Sequence, residues 1–157
     1  MNKLQNIVAY LCSQYPHKSE LSKARLTKLV YLADWFSSLV YGKPMTDIEW
    51  IFNHYGPYVD DVVASIHNTQ NFSLKIEQNG YGATKHVISF HGDKNEINLS
   101  TEECGILDIV IEKTKLLYFN DFIDYVYSTY PVKSQERYST LNLQSLAKEY
   151  KRKSATL

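Results

Sequence analysis

The segment from Lys23 to Tyr41 (KARLTKLVYLADWFSSLVY) constrains the fold of this chain more than any other. Leu26, Leu29, Val30, Ala33, Phe36 and Val40 recur at helical spacing and mark one apolar face. Tyr31, Leu32, Trp35 and Leu39 widen that face to most of the circumference. A helix apolar nearly all round needs neighbours on every side, so the pattern predicts a central helix buried by the rest of the chain. Ser22 reads as its N-cap, Gly42 as the left-handed glycine that ends it, and Pro44 as the block to continuation. Lys28 and Asp34 are polar interruptions, read as charges at the rim of the buried face or, alternatively, as partner contacts. Ala33 lets another element approach closely.

The remaining elements follow from period and punctuation. Leu4, Ile7, Val8, Leu11 and Cys12 predict a first helix over 3–15, stopped by Pro16. Residues 47–54 (DIEWIFNH) are short, aromatic and β-branched, and predict a strand. Pro57 fits the first position of a third helix over 57–68, with Val59, Val62, Val63 and Ile66 as its apolar face and Asp60 and Asp61 in its first turn. Phe72, Leu74 and Ile76 alternate with polar residues, as do Val87 to Phe90. The turn chemistry of Asn79-Gly80-Tyr81-Gly82 between them makes a β-hairpin, with a short third strand expected at 97–99. Ser100 and Glu103 form a capping box before a helix carrying Ile106, Leu107, Val110 and Ile111. A helix over 120–130, ended by Pro131, and a last helix over 143–153 complete the chain. The expected fold class is mainly α with a small antiparallel β element (α+β): one compact helical domain over 1–157, with a β-hairpin or three-stranded sheet on one side.

Composition excludes several function classes. At 157 residues with 44% hydrophobic and 22% charged residues, the chain buries a sizeable core without disulfides or metal. Lys and Arg number 17 against 17 Asp and Glu, and each half of the chain is balanced, which argues against nucleic acid as the dominant partner. The one basic cluster, Lys148, Lys151, Arg152 and Lys153, suits a solvated helix C-terminus. The two cysteines, Cys12 and Cys104, lie far apart among apolar residues and are expected to be buried, reduced thiols. The N-terminal apolar stretch is too short for a secretion signal and no segment approaches ~20 apolar residues, so a cytoplasmic protein without a membrane partner is expected. The 13 tyrosines suit half-exposed and interface positions.

Motifs for chemistry are sparse. There is no Gly-x-Ser-x-Gly and no phosphate-cradling glycine loop, and the five histidines are scattered. His86 and His91 sit five apart in the hairpin region and face opposite sides. Asp60 and His67, seven apart on a helix, share a face two turns apart, ~10 Å along the axis. His54 could join them through a loop, giving the alternative reading of a small metal- or nucleotide-binding enzyme that uses His54, Asp60 and His67. Acidic Glu102 and Glu103 beside Cys104 oppose a reactive thiolate. The expectation is a binding protein rather than an enzyme, with no catalytic, cofactor or metal residues.

The run Leu26-Thr27-Lys28-Leu29-Val30-Tyr31-Leu32-Ala33-Asp34, then Tyr41-Gly42-Lys43-Pro44-Met45-Thr46-Asp47, then Trp50 and Tyr55-Gly56-Pro57, resembles the Panacea (SocA-like) antitoxin domain family. Order and spacing agree over residues 22–68, and the later helices follow the family outline. The resemblance implies an antitoxin of a two-gene toxin–antitoxin system, which binds and silences a cognate toxin encoded by an adjacent gene. One relative instead acts as an adaptor that hands its toxin to a protease. Some members carry an additional DNA-binding domain, which a chain of this length and charge is not expected to hold. A related option is a phage-borne (prophage) regulator that binds a host protein. Homo-oligomerisation is compatible with either.

A binding module works through aromatic anchors in an interface of ~800 Å² per partner. The candidate partner-binding residues are Tyr55, Gly56, Pro57, Tyr58, Tyr81, Tyr118, Phe119 and Tyr125. Trp35 and Phe122 belong to the same aromatic set, with Trp35 the one most expected in the core. The Tyr55-Gly56-Pro57 triplet makes a rigid corner, Gly56 supplying an unusual φ.

Overall fold

The computed structural model describes residues 1–78 and 81–155. Its elements, in order, are α1 (Lys3–Gln14), α2 (Lys23–Tyr41), β1 (Trp50–Asn53), β2 (Gly56–Pro57), α3 (Asp61–Ile66), β3 (Phe72–Gln78), β4 (Thr84–Phe90), α4 (Thr101–Thr114), α5 (Phe119–Tyr127), α6 (Tyr130–Ser134), β5 (Thr140–Leu141) and α7 (Leu143–Ala155). The fold is α+β, with two small antiparallel sheets, β2-β1-β5 and β3-β4, among the described residues.

The all-round apolar helix is the axis of this arrangement. α2 packs against α1, α3, α4, α5, α7 and β4. Leu26, Leu29, Val30, Tyr31, Leu32 and Ala33 have no exposed surface. Each large apolar side chain removed from water in this way contributes roughly 1.5–3 kcal/mol. Its ends are as the sequence indicates. The Ser22 side chain accepts from Arg25 N, and Gly42 ends the helix at φ 79° with its N–H donating to Ser38 O. α4 begins on the expected capping box, Ser100 accepting from Glu103 N and the Glu103 carboxylate from Ser100 N.

Four expectations are corrected. Pro57 does not begin the third helix: it pairs with Phe52 in β2, and α3 starts at Asp61. Gly56, at φ 102°, returns the chain against β1, and β2 is a sheet edge, where a residue without an N–H is tolerated. Pro131 does not end a helix but lies in the first turn of α6; α5 stops at Tyr127. Residues 97–99 form no strand, because Asn98 N donates to the α1 side chain of Asn6 at 2.8 Å instead of to a ladder. The strand expected over 47–54 shortens to Trp50–Asn53. The β3-β4 hairpin stands as expected, with Phe72 opposite Phe90 and Gln78 opposite Thr84, and Gly82 has left-handed φ. Asn79 and Gly80 of its turn lie outside the described residues.

One residue fixes the path of the chain after α2. Asp34 lies in the C-terminal half of that helix and has no exposed surface, so it is a buried carboxylate rather than a rim charge. Its Oδ1 accepts from Met45 N at 2.8 Å and Thr46 N at 2.9 Å. Its Oδ2 accepts from Thr46 Oγ1 at 2.5 Å and from the Trp50 indole Nε1 at 2.8 Å. All four partners donate, which satisfies both oxygens of an ionised carboxylate. This clamp replaces strand structure over 45–49 and delivers Trp50 edge-on to Tyr31, ring centroids 5.6 Å apart.

Asn at position 34 would put an NH2 where Trp50 or Thr46 donates. Asp34→Asn is expected to cost roughly 2–4 kcal/mol in urea unfolding. Burial raises the Asp34 carboxyl to about 6, with the hydrogen bonds from Thr46, Trp50 and Met45 pulling the other way. The folded state therefore holds this proton more tightly than the unfolded chain, and stability at this site falls as pH rises from ~4 towards 6. Comparison of wild type with Asp34→Asn isolates that slope.

Candidate partner-binding corner

The β1–β2 hairpin that Asp34 positions projects a corner at its two-residue turn, His54 and Tyr55, between the pairs Asn53–Gly56 and Phe52–Pro57. Tyr55 is 76% exposed. Its ring meets the His54 imidazole edge-on at 4.5 Å, and His54 Nδ1 lies 3.1 Å from the Tyr138 hydroxyl. Tyr138 is itself 66% exposed and has φ 72°. A tyrosine in the left-handed region costs on the order of 1–3 kcal/mol, and the surroundings impose it. Tyr138 N donates to Phe52 O at 2.5 Å and Phe52 N to Ser139 O at 2.9 Å, so the residue is locked to β1 on both sides.

Behind the turn the corner is densely built. A Cβ on Gly56 would lie 3.2 Å from Tyr127 and 3.5 Å from Lys28 Cε, at a φ that already favours glycine. Tyr127 stacks edge-on against Phe52 at 6.0 Å, and Arg137 lies over Phe52 at 5.3 Å while donating to the Tyr127 hydroxyl at 3.3 Å.

Lys28 stands at the centre. It is only 2% exposed, against the expectation of a rim charge, and its ammonium sits 5.5 Å from the centre of the Tyr58 ring. Among the described residues it makes no ion pair and no hydrogen bond, and burial alone lowers its pKa to about 8. The contrast with Arg25, one turn earlier and equally buried, is informative. Arg25 donates to the Tyr15 hydroxyl at 3.0 Å and Leu117 O at 2.9 Å, lies 3.6 Å from Glu20 Oε2, and covers the Phe122 ring at 4.5 Å. Arg25 is structural cement. Lys28 has no such partner among the described residues, and its Nζ, unlike the neighbouring Thr27 Oγ1, is not sealed from solvent.

The sequence-named residues fall in different places. Tyr55, Gly56, Pro57 and Tyr58 form the corner, although Gly56 and Pro57 are buried and shape it rather than face outward. Tyr58 is half-buried, its hydroxyl pKa raised by burial and by the Asp60 charge. Phe119 is exposed and heads the α5 stripe Phe119, Ile123, Tyr127, which runs ~12 Å to the corner. Tyr118 and Tyr125 occupy the other flank of α5, beyond the buried Phe122 and Val126. Tyr81 is 98% exposed in the hairpin connection, on a different element. Trp35 and Phe122 are core residues. The structure does not unite His54, Asp60 and His67. Asp60 and His67 line a groove with Lys23, Tyr58, Val63 and Ala64, while His54 is on the β1–β2 turn, bonded to Tyr138. Cys12 is buried and its thiol pushed up to about 12 by burial; Cys104 is half-buried, and burial and then the Asp108 charge raise it.

Sequence reasoning missed Tyr127, Arg137 and Tyr138, which no motif or punctuation marks. Lys28 did carry a signal, a lysine inside an otherwise apolar run, but a rim position explains such a residue equally well.

Lys28, Asp34, Thr46, Trp50, Tyr55, Gly56 and Pro57 all belong to the run that carries the family resemblance. The family model described as Antitoxin SocA-like, Panacea domain matches residues 26–153, and this chain belongs to that family of antitoxin-like domains. Searches of curated proteins and of solved structures returned no match. Among the described residues no helix is long and apolar enough to cross a membrane.

An unpaired ammonium in this setting opposes folding. Lys28→Met is expected to raise stability at pH 7 by on the order of 1–2 kcal/mol. Because the folded-state pKa lies below the unfolded value, wild type should gain stability as pH rises from about 8 towards 10.5, and Lys28→Met should not. Urea titrations of both proteins across that window measure the difference.

Proposed function

We propose that this chain is an antitoxin that neutralises a cognate toxin, encoded by an adjacent gene, through direct stoichiometric binding in the cytoplasm, with the β1–β2 corner as the centre of the contact. Membership of the antitoxin-like family supports a toxin partner in general. The observation that carries the choice of surface is Lys28, a largely buried lysine with no hydrogen bond or ion pair among the described residues, at the corner that exposes Tyr55 and Tyr138. An acceptor from the toxin, a carboxylate or a cluster of main-chain carbonyls, completes that ion's coordination. On binding, the aromatic rings around it would shed their water, the arrangement that concentrates binding energy in a few residues. The action is occlusion of the toxin's working surface. Phe119 and the α5 stripe extend the contact, whereas Tyr118, Tyr125 and Tyr81 join only an interface wide enough to wrap the domain. A protease-adaptor role uses the same docking step and differs in the fate of the captured toxin.

Co-expression with the neighbouring gene product should rescue growth and yield a complex that co-elutes on a sizing column. Tyr55→Ala and Lys28→Met should each weaken the complex roughly 10- to 100-fold. Tyr138→Gly, which relieves the left-handed strain, should leave folding intact or improved while weakening binding. A harmless neighbour, an absent complex, or undiminished affinity in all three variants would refute the proposal. Restored growth that disappears in a protease-deficient host, with binding intact, would select the adaptor route.

A further inference from the structure

The β3-β4 hairpin has one covered and one open edge. His91 N donates to Asn71 O at 2.7 Å, and Asn71 and His91 lie opposite each other at the next step of the Phe72–Phe90 register. Odd-numbered β3 residues therefore spend their N–H and C=O groups on β4, and even-numbered ones direct theirs outward. The same alternation on β4 is confirmed by Ile88, whose outward N–H donates to Leu21 O at 2.9 Å. Beyond β3 no element packs in this way, since β4 is the one element in substantial contact with it among the described residues. Leu74 and Ile76, whose backbone groups face the open edge, also have exposed side chains, Ile76 at 66%. A row of unpaired N–H and C=O groups at an open edge can pair with another strand.

We propose that β3 pairs antiparallel with β3 of a second copy of this chain, with the two-fold axis at Ile76, joining the two hairpins into a four-stranded sheet. Backbone alternation and opposite-charge pairing together favour this arrangement. Outward-facing groups are even-numbered, so even residues must oppose even residues. Among the registers that satisfy this, centring on Lys75 opposes Lys75 to the partner's Lys75, and centring on Glu77 opposes Glu77 to the partner's Glu77. Centring on Ile76 places Lys75 opposite the partner's Glu77 and Glu77 opposite the partner's Lys75. Opposite charges directly across a sheet stabilise it and like charges destabilise it. Both side chains are exposed; Glu77 also faces Lys85 across the β3-β4 ladder, with no ion pair between them among the described residues. In the same register Leu74 and Ile76 and their symmetry mates form a continuous apolar strip on the other face. The edge is thus complementary to itself in hydrogen bonding, charge and apolar contact.

Sedimentation of the isolated full chain over a range of concentrations tests this without any toxin, so the outcome is independent of the neutralisation proposal. Wild type should show a monomer–dimer equilibrium. Lys75→Glu should weaken it about tenfold, because both symmetric pairs become repulsive. The double exchange Lys75→Glu with Glu77→Lys should restore it, a rescue that a merely structural role would not give. Ile76→Pro, which removes an outward N–H and no bond of the β3-β4 ladder, should abolish it with the circular dichroism spectrum unchanged; if that variant misfolds, the charge series still decides. A chain that stays monomeric at every concentration, or a dimer indifferent to the charge exchange, overturns the proposal. So does an edge taken up by a strand of the toxin while the free chain stays monomeric.

Discussion

The Asp34 clamp is the interaction on which the rest of the structure depends. A carboxylate without solvent access is costly, and only a full set of donors offsets the loss of water. Met45 N, Thr46 N, Thr46 Oγ1 and Trp50 Nε1 are that set. They lie 11 to 16 residues beyond Asp34, past the Gly42 turn, so one side chain dictates the path of the whole connection. The irregular backbone from Met45 to Glu49 has no ladder of its own to define it. β1 begins where the clamp ends, at Trp50, and everything at the β1–β2 corner inherits its position from that point.

The central helix carries three deeply buried ionisable groups, Arg25, Lys28 and Asp34, and their treatment differs. Arg25 and Asp34 are each surrounded by hydrogen-bond partners that tie elements distant in sequence: α1, α4 and α5 through Arg25 and Tyr15, and the 45–50 segment through Asp34. Tyr15, bonded to Arg25, continues to Thr114 at 3.3 Å, and Thr114 to Val110 O at 2.7 Å. These networks specify one packing of an otherwise greasy helix, which could rotate or slide at little hydrophobic cost. Lys28 has no such network. Among the described residues, nothing in the isolated fold pairs it.

Much of this was legible in the sequence, and the boundary of legibility has a physical origin. Caps and punctuation act locally, so Ser22, Gly42, Ser100 with Glu103, and the alternation of the hairpin could be read directly. The prolines could not, because Pro57 and Pro131 occupy positions where a missing N–H is harmless, and sheet edges and helix starts both qualify. β5 is two residues long, too short for any period to register. Burial of Lys28 and Asp34 was hidden because the sequence shows a polar residue on an apolar helix but not whether its partners arrive from elsewhere. For Asp34 those partners lay within the very motif that carries the family resemblance. For the corner, Tyr138 and Arg137 arrive from more than 80 residues away, and only the folded chain brings them to His54 and Phe52.

Several departures from local preference meet at the β1–β2 turn. A tyrosine in the left-handed region, a glycine pressed between Tyr127 and Lys28, and an unpartnered ammonium all lie around the β1–β2 turn. Elsewhere α1, α2 and α4 carry side-chain caps, and Arg25 and Asp34 have hydrogen-bond partners. Three such departures meeting at one corner cost stability there. Strain that a free protein bears without benefit is offset when a bound partner converts it into affinity, since a corner already rigid gives up little freedom on binding. Stability gained by repairing Lys28 or Tyr138 and affinity for the partner should therefore move in opposite directions. That opposition separates a binding surface from a defect of folding, because repairing a mere defect would carry no such loss.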